Sequence, residues 1–180
     1  RFVPVDPQVI KNQTEATLAC WDIDAVKIGM LGTVPAIDAT AEILSQNNFP
    51  HVVVDPVLIC KGQEAGAALD IDNALREKIL PLATVLTPNL FETETLSGME
   101  NISTVEELTE AAKRIADSGA KAVLVKGGAN LPGDNAVDVL WDGHEATVYS
   151  APKVGDLRVS GAGDSPVSYT HLRAHETLRY

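Results

Sequence analysis

The sequence predicts an α/β protein of three layers, in which helices flank a mostly parallel sheet. Short apolar strands alternate with helix-period segments along the chain, as they do in βαβ units. Two of the strands, His51-Val52-Val53-Val54 and Ala122-Val123-Leu124-Val125, are apolar at successive positions, which suits a sheet covered on both faces. Polar and glycine-rich residues (Gly29, Asp55, Asn89 and Lys126-Gly127-Gly128) fall just after strands, where open parallel sheets take their ligands.

The elements follow in order. Residues 7–19 read as a helix. Ala25 to Ile28 reads as a strand that runs into Gly29-Met30-Leu31-Gly32. Thr33 is placed to cap a helix through about Gln46, with Ile37, Ala41, Ile43 and Leu44 facing inward. Asp55-Pro56 ends the strand from His51, because proline has no N–H to give a central strand. The Gly- and Ala-rich stretch Lys61 to Leu69 is expected to be a mobile loop. Ile71 to Ile79 reads as a helix and Thr84 to Thr87 as the next strand. Ser103 and Glu106 have capping-box spacing before an amphipathic helix that Gly119 closes. After the strand from Ala122, Val137 to Trp141 and Ala146 to Ser150 read as an edge hairpin across Asp142-Gly143.

Composition narrows the function classes. Hydrophobic residues at 45% against charged residues at 22% are the balance of a globular chain with a core to bury. A net charge of -11, from 25 acidic and 14 basic residues, argues against a nucleic-acid or anionic-membrane surface. It leaves nucleotide binding open, since backbone N–H groups, a lysine and a metal suffice to hold phosphates. No apolar run approaches the ~20 residues of a membrane helix. Cys20 and Cys60 offer no disulfide framework and no metal spacing with the histidines, and no signal peptide is recognised. The expected setting is a reducing cytoplasm.

Several residue groups could carry chemistry. Gly161-Ala162-Gly163-Asp164-Ser165 follows the hairpin. Glycines let a backbone approach a phosphate, and N–H groups at a helix start bind anions. Asp164 there either takes a proton from a hydroxyl or caps a helix. Asn89 and Glu92, in Thr87-Pro88-Asn89-Leu90-Phe91-Glu92, share one face of the helix after a strand. A carboxylate with an amide suits Mg²⁺ and its waters, and the same pair suits a helix cap. Asp55 is a turn residue or a second magnesium carboxylate. Lys126 lies along a nucleotide or in solvent. Cys60 precedes Lys61-Gly62, where the lysine lowers its thiol pKa or the thiol is buried and inert. His51 and His144 have no partner pattern and read as core or surface residues.

Taken together, Val26-Lys27-Ile28-Gly29-Met30-Leu31-Gly32-Thr33, Val54-Asp55-Pro56-Val57, Cys60-Lys61-Gly62, Leu86-Thr87-Pro88-Asn89-Leu90-Phe91-Glu92, Val125-Lys126-Gly127-Gly128 and Gly161-Ala162-Gly163 form an ordered set. That set closely resembles the vitamin-kinase branch of the ribokinase-like superfamily. Within the branch the chain looks most like bacterial pyridoxal kinases related to hydroxymethylpyrimidine kinases. The resemblance implies MgATP and a small-molecule substrate, with phosphorylation of the hydroxymethyl group of pyridoxal or pyridoxine. It implies Asp164 as the base, with Gly161, Ala162 and Gly163 as the anion hole. Asn89 and Glu92 would hold magnesium with Asp55 nearby, and Lys126 and Gly128 would border ATP. Met30 would line the substrate pocket and Cys60 would sit on a lid. A homodimer is also implied. Hydroxymethylpyrimidine is the alternative substrate, and Phe91 and Cys60 favour pyridoxal. A non-catalytic nucleotide- or vitamer-binding module is the rival of another class, which would not need Asp164.

The chain departs from its relatives at Asp164, where they often carry Cys and the superfamily's sugar kinases carry Asp. The family is also longer at both ends, supplying an opening strand, part of the substrate pocket and the helix after the anion hole. Residues 1–165 are accordingly expected to be the central part of a kinase domain, inactive alone. Residues 166–180 break the pattern. Pro166 falls where the next helix would begin, and no convincing apolar stripe follows. Val167 to His171 is also what the transposase adapter CTGTCTCTTATACACATCT encodes in one reading frame. The expectation is that 166–180 is adapter-derived and not native.

Overall fold

The computed structural model describes residues 3–58 and 65–154, of residues 65–68 the backbone alone. The elements are α1 (Pro7–Leu18), β1 (Ala25–Ile28), α2 (Val34–Gln46), β2 (His51–Val54), α3 (Ala65–Lys78), a 3-10 turn (Leu80–Leu82), β3 (Val85–Leu86), α4 (Leu90–Ser97), α5 (Val105–Ala116), β4 (Ala122–Gly128), β5 (Asn135–Trp141) and β6 (Ala146–Pro152). The strands form one sheet whose spatial order is the chain order. β1 to β4 run parallel, and β5 and β6 add an antiparallel hairpin. The α/β class is as the sequence predicts.

Helix starts fall where a side chain can accept from free N–H groups. Asp6 accepts from the Gln8 N–H at 2.7 Å and opens α1, with Pro7 at the first position. Thr33 accepts from the Ala36 N–H at 3.3 Å and opens α2, as expected.

Each parallel pair is joined by helical crossovers, and right-handed crossovers advancing in one direction across a sheet lie on one face of it. Burial agrees. Val52, Val54, Leu86, Val123, Val125 and Val139 are buried in one cluster with Ile37, Leu44, Ile79, Leu108 and Ile115. Full burial of such a side chain contributes about 1.5–3 kcal/mol. Val53, Val85 and Leu124, at the alternate positions, are only half-buried. The described helices therefore cover one face, and the face carrying Val53, Val85 and Leu124 is less completely buried.

Four local expectations differ from the structure. Residues 65–69 of the Gly- and Ala-rich stretch belong to α3 and not to a loop. Alanine is the strongest helix former, and Ala65, Ala67 and Ala68 outweigh Gly66. The capping box before α5 is formed by Thr104 and Glu107, one residue later than expected. Glu107 Oε2 accepts from the Ser103 N–H, the Ser103 hydroxyl and the Thr104 N–H, so this register gathers three donors on one oxygen. α5 ends at Ala116, before Gly119, whose φ of 115° turns the chain towards β4. The hairpin is longer than expected and turns through residues 142–145. Asp142 Oδ1 accepts from the His144 and Glu145 N–H groups at 2.8 Å each and closes that turn.

Candidate active site

Parallel strands bring their carboxyl ends to one edge, and the backbone ladder continues a residue beyond them. The Asp55 N–H donates to Ile28 O at 2.9 Å, the Thr87 N–H to Val54 O at 2.9 Å, and the Lys126 N–H to Pro88 O at 2.8 Å. Those bonds hold Asp55, Thr87 and Lys126 in register. Lys126 Nζ donates to Asp55 Oδ1 at 3.0 Å, and the Thr87 hydroxyl donates to the same oxygen at 3.3 Å. The Lys126 and Asp55 side chains are 10% and 9% exposed, so this ion pair stands almost out of water. Removing one partner of so buried a pair strands the other charge and costs several kcal/mol. The solvated position left open for Lys126 is thereby corrected.

Asn89 and Glu92 stand at the start of α4. The Glu92 N–H donates to Asn89 Oδ1 at 2.9 Å, and the Asn89 N–H donates to Glu92 Oε2 at 2.8 Å. The capping reading of this pair is therefore realised. It coexists with a place in the cluster, because Glu92 feels the charges of both Asp55 and Lys126. Glu92 is 5% exposed. Burial pushes its carboxyl up to about 7, against the bond from the Asn89 N–H and with help from the Asp55 charge.

The donor set suits a hard cation, with two carboxylates and an amide oxygen. Among the described residues no group of three or more His, Cys, Asp or Glu could hold a metal by itself. Mg²⁺ usually takes one or two carboxylates and completes its shell with waters and substrate phosphates. The residues present fit magnesium in that shared form.

Lys126-Gly127-Gly128 is more constrained than a strand end need be. The β4–β5 register shifts between Lys126 and Gly128, a β-bulge. A Cβ on Gly127 would meet Val137 O at 2.5 Å, and Gly128 has φ of 52°. Asp138, opposite Lys126 on β5, accepts the Gly128 N–H at 3.0 Å. Sequence reasoning missed Thr87 and Asp138. The paired glycines were the available signal of a bulge, and such a signal does not reveal which side chain ties it.

Met30 follows β1 at the same edge, 53% exposed, and Phe91 lies on the first turn of α4, 50% exposed. Cys60, Gly161, Ala162, Gly163 and Asp164 lie outside the described residues, as does 166–180.

Comparison with known proteins gives consistent matches. The profile of the phosphomethylpyrimidine kinase family matches residues 1–170. The pyridoxine kinase of Bacillus subtilis (strain 168) is 41% identical over 160 residues, 89% of this chain and 59% of its own length. The hydroxymethylpyrimidine/phosphomethylpyrimidine kinase of Aquifex aeolicus is 31% identical over 179 residues, 98% of this chain and 69% of its own. The ADP complex of Bacillus subtilis pyridoxal kinase superposes with a TM-score of 0.82 at 40% identity, covering 91% of this chain and 61% of that one. Staphylococcus aureus pyridoxal kinase in complex with AMP-PCP and pyridoxal also gives 0.82, at 33% identity over 97% of this chain and 62% of that one. The chain spans between 50% and 59% of the length of the curated pyridoxine kinases it matches.

Proposed function

The chain belongs to the phosphomethylpyrimidine kinase family, and from that premise we propose that its protein is an ATP-dependent vitamin kinase acting on the hydroxymethyl group of pyridoxal or pyridoxine. The observation that carries the reading is the convergence of Asp55, Glu92 and Lys126 at the carboxyl edge of the parallel strands, with the Glu92 carboxyl pushed up to about 7 by burial. Pyridoxal is placed first on the 41% identity of the Bacillus subtilis pyridoxine kinase, by a narrow margin, since a thiamine biosynthesis bifunctional protein of Geobacter sulfurreducens is 40% identical. Hydroxymethylpyrimidine remains the second reading, which the Aquifex relative and the family itself support.

In the proposed reaction the substrate hydroxyl oxygen attacks the γ-phosphorus of ATP, and the bond to the β-phosphate oxygen breaks. ADP leaves, and the hydroxyl proton passes to the Asp164 carboxylate. Gly161, Ala162 and Gly163 offer N–H groups to the charge developing on the transferred phosphoryl group. Asp55, Asn89 and Glu92 would hold Mg²⁺, which neutralises phosphate charge. Lys126, pinned by Asp55, and Gly128 border the nucleotide phosphates. Met30 lines the substrate pocket and Cys60 belongs to a lid that excludes water. The proposed setting is the cytoplasm and the proposed assembly a homodimer. Residues 1–165 form the native part, while 166–180 is adapter-derived; an uninterrupted genomic reading frame through Tyr180 would reject that last assignment.

The test is a phosphotransfer assay of the full-length protein with pyridoxal and hydroxymethylpyrimidine side by side. A higher kcat/KM for pyridoxal is expected. A preference for hydroxymethylpyrimidine would transfer the assignment to the second reading, and turnover of neither would favour a binding module.

A further inference from the structure

The loop between β4 and β5 is fixed from both sides. Its entry is the bulge at Gly127 and Gly128, where the Asp138 carboxylate accepts the Gly128 N–H at 3.0 Å. The Asn130 N–H returns to Gly127 O at 3.1 Å, which closes a tight turn. Leu131 is 3% exposed and anchors the middle of the loop in the core. From beyond β6, Lys153 Nζ donates to Leu131 O and Gly133 O, both at 2.7 Å. A loop that only joined two antiparallel strands would need a few residues and no such bracing. Here two charged side chains, on β5 and after β6, are committed to its backbone.

We propose that Asp138 and Lys153 are positioning residues that preform this loop as a wall of the nucleotide site. The inference rests on the reading of Lys126 and Gly128 as bordering ATP. Asp138 acts through Gly128. By holding that N–H it fixes the left-handed residue and so the direction in which the chain leaves Lys126. Lys153 acts through the two carbonyls and holds the far end of the loop against the sheet. A wall ordered beforehand need not be ordered at the moment of binding, so losing either brace should weaken nucleotide affinity more than turnover.

The experiment compares Asp138→Ala, Asp138→Asn, Lys153→Met and Lys126→Ala in the full-length protein, using steady-state kinetics and AMP-PCP titration. Asp138→Ala is expected to raise the KM for ATP and the AMP-PCP Kd about fivefold or more, the scale of one lost hydrogen bond. Its kcat and its KM for the vitamin substrate should stay within about twofold. Asp138→Asn keeps an acceptor oxygen and should restore the nucleotide KM. Lys153→Met should show the same split, and it decides the matter if Asp138→Ala does not fold. Unchanged nucleotide affinity in Asp138→Ala and Lys153→Met, with Lys126→Ala impaired, would overturn the positioning role alone. No nucleotide effect in any of these variants would overturn the ATP-border reading and the inference with it. Equal losses for both substrates and in kcat would reduce the braces to general stability and also overturn it.

Discussion

A methyl group on Gly127 would come 2.5 Å from Val137 O, a backbone atom that cannot swing aside as a side chain can. Gly127→Ala is expected to cost roughly 1–3 kcal/mol, the scale of overpacking that forces backbone to move. Urea denaturation would measure it, and an unchanged midpoint would mean that the β4–β5 bulge gives way freely. Glu92 is the residue with the clearest pH signature. Folded, its carboxyl titrates at about 7 against an ordinary 4.5, so in that window the fold holds a proton that the unfolded chain has released. Stability from this group therefore falls as pH rises from 4.5 to about 7 and is level above. Glu92→Gln keeps a cap acceptor and should remove a slope of about 1–3 kcal/mol across that window, read as the difference between the two proteins in urea. In the full-length enzyme the same variant should need more Mg²⁺ for half-maximal rate; an identical titration would leave Glu92 as a cap. Asp164→Asn should lower kcat about 100-fold or more with MgATP binding little changed, and near-normal turnover would reject it as the base.

At the scale of elements, the start of α5 separates what sequence spacing shows from what geometry decides. Ser103-Thr104-Val105-Glu106-Glu107 contains two overlapping capping boxes, and pattern alone favours neither. The structure takes Thr104 and Glu107 because that register places three donors on one carboxylate oxygen. Thr104→Ala should accordingly lower thermal stability by about 1 kcal/mol, with Ser103→Ala costing less. The reverse order in calorimetry would restore the earlier register. β1 and β2 have the ends read from the sequence, and α2 its cap and length, because Thr33 and Asp55-Pro56 are strong local punctuation. From sequence α3 reads short, because small residues suggest a loop until alanine's helix preference is weighed. The strand-end residues Asp55, Asn89, Glu92 and Lys126 were legible as a set. The Lys126–Asp55 pairing was not, since it joins β4 to the end of β2 across β3, and such a contact has no sequence signature.

For the molecule as a whole, the described helices cover one face of the sheet, and Val53, Val85 and Leu124 remain half-buried on the other. The 180-residue chain expressed alone is therefore expected to bind a hydrophobic dye such as ANS under native conditions. Dye fluorescence at the level of buffer would mean that this face is covered. Strand order equal to chain order has a consequence during translation. Among the described strands none need wedge itself between two earlier ones, so each of these units can add to the growing edge as it leaves the ribosome. The units from β1 to β4 can thus be seated while β5 and β6 are still being synthesised, and the brace that Lys153 provides closes only after β6 has paired.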